Sequence, residues 1–397
     1  MPDSNGNYSL RQHLGRRLGD GLGPQSGSYS GCRAPEDGVT MRKFRNAGFS
    51  CTLLVIVCVA CFAQRPRPDY QQNIIKTANW TVSSASSLPD GAILFTPTEI
   101  VPYYSNLAAI GLTKDKAYYP QVKAWMQWYI SHLNYPDKWG LYCTTYDYNV
   151  SGTVETPTGD ADSTDSYAAT FLSLAWAYWR TGDPDAQAYI RTLSYQLDCI
   201  GGVIVQTQQN NGLTWAKPDY QIQYLMDNSE VYHGLRDVAG LFQEAFGNTK
   251  ARDWYNSHAD SVSNGIETAL WDSVHNNYLT YAGAPPSRWH KWYPDATAQL
   301  FPVLNGVISD SSPRAKHLYN TFNRCWPRWD QLKFPDPFPW ALVSGAAALM
   351  GDAPRVNTYI RKIENKYVNA GFPYPWYCAE AGWFIRVNHY MLGKRPL

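Results

Sequence analysis

From residue 69 onward, two kinds of helical segment alternate along the chain. One kind is apolar on nearly every side and covers residues 101–112, 167–179, 231–246, 297–308, 341–350 and 382–391. A helix with so little charge on any face has to be buried on most sides. The other kind carries Lys, Arg and Gln along one face and covers 69–80, 121–133, 186–200, 251–270, 314–326 and 355–367. Pro120, Pro184, Pro313 and Pro354 stand near the first turn of these segments, where a missing N–H costs nothing. Six buried helices alternating with six half-exposed ones predict an all-α fold, an (α/α)6 toroid with an inner and an outer ring. No strand-like alternation of comparable length interrupts the pattern, and the short fixed repeat of an open solenoid is missing.

The first 63 residues do not share this pattern. Residues 1–40 are rich in Gly, Ser, Arg and Pro without a hydrophobic period, which predicts a disordered or mis-assigned extension. Met41 then opens an export signal. Arg42, Lys43 and Arg45 form a basic start, residues 49–62 are apolar, and Ala63 offers a small residue for cleavage. The apolar stretch is short for a membrane span. Cys58 stands where a lipoprotein signal carries Leu or Val, which argues against lipidation at Cys61. The expected organisation is therefore 1–40 extension, 41–63 signal peptide and 64–397 catalytic domain. The mature chain is expected to be secreted or periplasmic, with no membrane span.

Composition narrows the function. The net charge is +1 with no long run of one sign, which argues against nucleic-acid or electrostatic membrane binding. The exported part keeps Cys143, Cys199, Cys325 and Cys378 far apart, and the histidines lack metal-site spacing, so neither a metal nor another cofactor is expected. Export permits disulfides, with three pairings or none open. The unusual feature is 16 Trp and 29 Tyr, rings with a flat apolar face and a polar tip that suit sugar-binding clefts as well as cores.

The long loops, 134–164, 201–227, 276–295 and 327–339, all enter inner helices, so they are expected to build a cleft at one end of the toroid. They carry Trp139, Trp215, Trp289 and Trp292, expected to stack on substrate. Acids gather at the same end: Glu99, Asp162, Asp165, Asp227, Glu230, Asp295 and Glu380. Convergent carboxylates beside aromatic loops are what glycoside hydrolysis needs, one acid with a raised pKa and one ionised partner. The plainer role for each acid is a first-turn residue that complements the helix dipole.

Two stretches carry a resemblance. Thr98-Glu99-Ile100-Val101-Pro102-Tyr103-Tyr104 resembles the S-E-G-x-x-Y segment of glycoside hydrolase family 8, and Ala161-Asp162-Ser163-Thr164-Asp165, with Ala169 and Trp179 beyond, resembles its aspartate signature. Ser163 stands where that signature has its first Asp. The helical body as a whole looks like a six-hairpin glycosidase. The resemblance implies Glu99 as proton donor, Asp165 as a substrate-contacting carboxylate and inversion of configuration. The separate base an inverting enzyme requires is expected at Asp227 or Glu230. Asp162, Asp295 and Glu380 are expected to bind substrate. The expected function is a secreted glycoside hydrolase, acting as a monomer on a polysaccharide or oligosaccharide. The alternatives are a polysaccharide lyase and a non-catalytic carbohydrate-binding toroid.

Overall fold

The computed structural model describes residues 67–397, so the extension and the signal segment lie outside the described residues. Within them the chain forms two concentric rings of helices. The inner ring consists of α2 (Pro102–Leu112), α4 (Thr164–Trp179), α7 (Leu225–Glu244), a broken fourth member, α11 (Ala341–Leu349) and α13 (Cys378–Met391). The outer ring consists of α1 (Tyr70–Trp80), α3 (Tyr119–Ser131), α5 (Pro184–Arg191) with α6 (Ser194–Thr207), α8 (Thr249–Gly265), α10 (Pro313–Cys325) and α12 (Ala353–Lys366). Each inner member packs on the next, and α13 packs on α2 to close the ring. This is the expected (α/α)6 toroid. Among the described residues, no helix is long and apolar enough to cross a membrane.

Three local features depart from expectation. The fourth inner segment is not one helix over 297–308. It is a π-turn at Trp292–Ala296 followed by the single turn α9 (Phe301–Leu304), with Pro302 able to enter a helix only in its first turn. The outer segment 186–200 breaks between α5 and α6. A small antiparallel sheet, β1 (Glu99–Ile100), β2 (Tyr148–Ser151) and β3 (Val154–Pro157), is the third departure. Its clue is the inward Tyr148 and Val150 alternating with outward Asn149 and Ser151, ahead of Gly152 at φ 63°.

Side-chain caps at the helix starts are confined to the outer ring, although α3 and α6 there lack one. Asp69, Asp183, Asn248, Ser312 and Asp352 cap α1, α5, α8, α10 and α12 with their side chains. The inner helices α2, α4, α7, α11 and α13 have no such cap from their own N-cap residue. Their first-turn amides are left for other partners at the shared end of the ring.

Ring closure rests on glycine. A methyl group on Gly382 of α13 would sit 2.1 Å from the Leu107 carbonyl oxygen and 2.8 Å from Ala108 Cα on α2. Both are backbone atoms that cannot step aside as a flexible side chain does. Gly382→Ala is therefore expected to cost about 3 kcal/mol, the upper end of overpacking penalties, as read by urea unfolding. Unchanged stability would show that the seam is not tight. A disulfide joins Cys143, in the loop after α3, to Cys199 on α6.

Candidate active site

The inner helices bring their N-termini to one opening, and contacts between them identify it. Tyr103 of α2 donates to Glu230 Oε1 of α7 at 2.6 Å. Ser163, at the start of α4, reaches Asp227 Oδ2 of α7 at 3.2 Å. Tyr104 of α2 packs against Tyr377 at the start of α13 (5.3 Å between rings), and Tyr293 packs against Trp340 at the start of α11 (5.3 Å). Tyr103 and Tyr167 stack at 6.2 Å. Aromatic rings thus collar the opening, with carboxylates on its α4–α7 side.

Asp165 is the most enclosed of these carboxylates, with 0% exposure. It accepts from Ser163 Oγ at 2.5 Å, from Thr214 Oγ1 at 2.6 Å and from its neighbour's amide, Ser166 N, at 2.7 Å. Burial pushes its pKa up to about 6, against the pull of these three donors.

Ser163 links Asp165 to Asp227. A hydroxyl has one proton to give, and the 2.5 Å contact to Asp165 takes the larger share of it. The 3.2 Å contact from Ser163 Oγ to Asp227 Oδ2 is the longer and weaker of its two, so Asp227 receives the smaller share of that proton. Burial first, then the neighbouring carboxylates Asp165, Glu230 and Asp162, raise Asp227 well above the ordinary carboxylate range, against the hydrogen bond it accepts from Ser163. Asp227 is only partly buried, unlike the fully enclosed Asp165. Glu230, one helical turn deeper and 8% exposed, is pushed up to about 8, mainly by burial and partly by Asp165, against the Tyr103 hydrogen bond and Arg386.

The other expected site residues divide. Asp162 is exposed at the opening and perturbs Tyr104, Tyr167 and Tyr293 around it. Glu99 lies on β1, half-buried, and accepts from Thr96 Oγ1 at 3.2 Å. It stands on the small sheet, just ahead of α2 in the chain. Glu380 is not a free substrate ligand. Its two oxygens accept the Trp340 and Ala341 amides at 2.9 and 2.6 Å, so α13 caps the N-terminus of α11. Burial raises it to about 7. Asp295 accepts from Arg288 N at 2.8 Å and pairs with Lys291 at 3.2 Å, which ties its carboxylate to its own loop.

The tryptophans divide as well. Trp292 is 2% exposed and stacks on Phe334 at 4.1 Å, with Trp326 at its edge. It is core, because the loop that carries it folds back onto α10. Trp289 packs on the core, and its carbonyl accepts from Trp326 Nε1 at 2.8 Å. Trp139 is half-buried under Lys138, 4.4 Å from its ring. Trp215, half-buried next to Thr214, is the one adjacent to the carboxylate cluster. Thr214, Tyr293 and the Asp147–Tyr167 pair (2.8 Å) join the site without any sign in the sequence pattern. Thr214 and Tyr293 sit in loops whose course local periodicity does not reveal.

These carboxylates make stability depend on pH. Asp165, Glu380 and Glu230 have folded values near 6, 7 and 8, above the ordinary unfolded values near 4. Their stabilisation is complete below about pH 4 and is lost as pH rises through 6 to 8. Stability is expected to fall between pH 5 and 8 by on the order of 2 kcal/mol or more, since a tenfold difference in proton affinity between folded and unfolded chain is worth about 1.4 kcal/mol. Chemical denaturation across this range measures it. A slope that is flat, or that Glu230→Gln does not reduce, contradicts the assignment.

No family model and no curated protein matches the chain. Solved structures do. A rhamnosidase from Klebsiella oxytoca with rhamnose bound aligns over 82% of this chain at 13% identity and a TM-score of 0.56, and this chain spans 64% of its length. A glycosidase variant in complex with glucose aligns over 83% of this chain and 100% of its own, at 11% identity and 0.58. A GH63 mannosylglycerate hydrolase from Thermus thermophilus, in complex with glucose, aligns over 81% and 100%, at 11% and 0.53. At such identities the likeness is one of fold. The chain is a helical toroid of the type these glycosidases share.

Proposed function

We infer that the chain is an exported glycoside hydrolase with Asp227 as its proton donor. The observation that carries this reading is Asp227 packed beside Asp165, to which Ser163 links it, with Glu230 one turn away, a crowding of carboxylates that together with burial favours the protonated form of Asp227. A glycosidase needs such a proton for the leaving oxygen at neutral pH. Asp165 acts as a positioning residue, because its carboxylate beside Asp227 favours the protonated form there. Glu230 lies behind it as a second protonated carboxyl. This moves the donor from Glu99, expected from the family 8 resemblance, to the α7 position expected to hold the base.

Inversion requires an ionised partner across the opening to activate water. Asp162, exposed on the α4 side, and Glu99, on β1, are the candidates for it. The glycosidases of the same fold bind monosaccharide units, which fits a carbohydrate substrate. Export is supported by the Cys143–Cys199 bond, since disulfides persist in oxidising compartments. The lyase alternative loses ground because burial holds the phenols of Tyr103, Tyr104 and Tyr377 well above their ordinary range, so they keep the proton a lyase base must lose.

The test is incubation of the protein with a panel of polysaccharides, with products weighed by mass spectrometry and their anomers followed by NMR. Products one water heavier than the cleaved residue, released with inverted configuration, support the reading. Unsaturated products that absorb ultraviolet light, or no products from any polymer, overturn it.

A further inference from the structure

A second aromatic surface lies outside the opening, on the outer ring. Asp198 and Gly202 of α6, with Lys250, Ala251, Trp254 and Tyr255 of α8, line an open groove of about 500 Å³. That is the size of a small-ligand site. Trp254 is 45% exposed, although Trp is a residue that packing normally hides. Its ring is set edge-on against Tyr255 at 4.8 Å and His258 at 4.6 Å. Buried Tyr255 donates to Asp198 Oδ1 at 2.9 Å, which fixes the carboxylate at the rim. Lys250 adds a donor. At Gly202, an added Cβ would meet only the end of the Gln206 side chain, at 3.8 Å, so the groove floor is open and this glycine serves no close packing.

The surface continues beyond the groove. Tyr195, Asp198 and Gly202 are spaced i, i+3, i+7 and share one face of α6, and Tyr195 is 70% exposed. Tyr135 lies near enough to Tyr195 to influence its phenol, and Tyr142 adjoins Cys143; both are half exposed, at 51%. The disulfide to Cys199 ties their loop to α6.

We propose that this strip, with the Trp254 groove at its head, is a second carbohydrate-binding site that holds a polysaccharide chain on the outer flank of the toroid. Flat rings with polar tips, set among a carboxylate and an ammonium and without exposed aliphatic residues in the groove, match the apolar faces and hydroxyl rims of sugars better than a protein partner, whose anchors need dry pockets. The site rests on the glycosidase reading for its ligand class but not on the catalytic residues.

The test compares retention on insoluble cellulose, chitin, xylan and mannan for the wild type, Trp254→Ala and Gly202→Gln. The last variant fills the groove while keeping every ring, and its helix should not weaken. On a polymer that retains the wild type, both variants are expected to bind about tenfold more weakly, equivalent to about 1.4 kcal/mol. Turnover of short soluble oligosaccharides should stay unchanged, and Asp227→Asn should be retained like the wild type. Wild-type retention by both variants, or no retention of the wild type on any polymer, overturns the site even if hydrolysis is observed. Retention lost with Trp254 in a protein that cleaves nothing leaves the site standing and removes the hydrolase reading. Self-association abolished by Trp254→Ala, with retention unaffected, assigns the strip to a protein partner and also overturns the proposal.

Discussion

Asp227→Asn is expected to lower kcat on a cleaved polysaccharide by a factor of about 10² to 10⁴, the contribution of a positioned general acid, with KM little changed. The amide keeps the shape of the protonated carboxyl and can still accept from Ser163, so the fold and the bound substrate should persist. Substrates with a good leaving group, such as nitrophenyl glycosides, need little protonation and should lose far less. That contrast separates an acid from a residue that merely shapes the cleft. Ser163→Ala gives an independent check. Without its shared hydroxyl, Asp165 loses one of its donors and rises toward the proton, so the activity profile against pH should shift. A variant Asp227→Asn with normal turnover on both substrate types would end the assignment, and Glu99 would return as donor.

Loss of the Cys143–Cys199 bond is expected to have the largest effect on stability. The bond closes a loop across 56 residues of sequence. Chain-entropy arithmetic for that length gives about 4 kcal/mol, and removing native disulfides usually costs about 2–5 kcal/mol. The paired variant Cys143→Ser/Cys199→Ser, unfolded in urea beside the oxidised wild type, measures this. Cys143 also sits at φ 65°, a left-handed conformation that serine tolerates no better, so the difference isolates the cross-link. A loss below about 1 kcal/mol would mean that the unfolded chain is already confined without it.

The helical rings are legible in the sequence because burial and amphipathicity have different signatures. Segments 101–112 and 341–350 carry no charge on any side, and the structure buries Leu107, Ala108, Val343 and Ala347. Pro313 and Pro354 mark outer starts, and the observed helices begin at Pro313 and Ala353. Where expectation and structure part, local pattern and tertiary course disagree. Residues 297–308 read as a continuous apolar helix, but the run reflects burial alone, which a turn and a short helix satisfy equally. Trp292 looks like a loop residue free to meet substrate because its stacking partner, Phe334, is 42 positions away.

The site is legible only in its inventory. Asp165, Asp227 and Glu230 stand out as acids opening apolar helices, and the structure brings these three together. Their roles are not readable, because role depends on which proton each neighbour supplies. Thr214 Oγ1 reaches Asp165 from 49 residues away, and Tyr103 reaches Glu230 from 127. Glu380 shows the opposite case. It looks like a mouth carboxylate and instead serves a neighbouring helix, which no spacing along its own segment would reveal.

Among the described helices α13 comes last and packs on α2, so that contact cannot form until residues 378–391 have been made. While the chain is being made, α2 and α4 can pair early, but the other side of α2 has nothing to cover it until residues 378–391 arrive. Glu380, which satisfies the first amides of α11, arrives with the same segment. An uncovered apolar face of α2 therefore persists while the residues between α2 and α13 are made, because the contact that covers it is far apart in sequence. A nascent chain of this kind stays unfinished until late, open to whatever machinery receives it first.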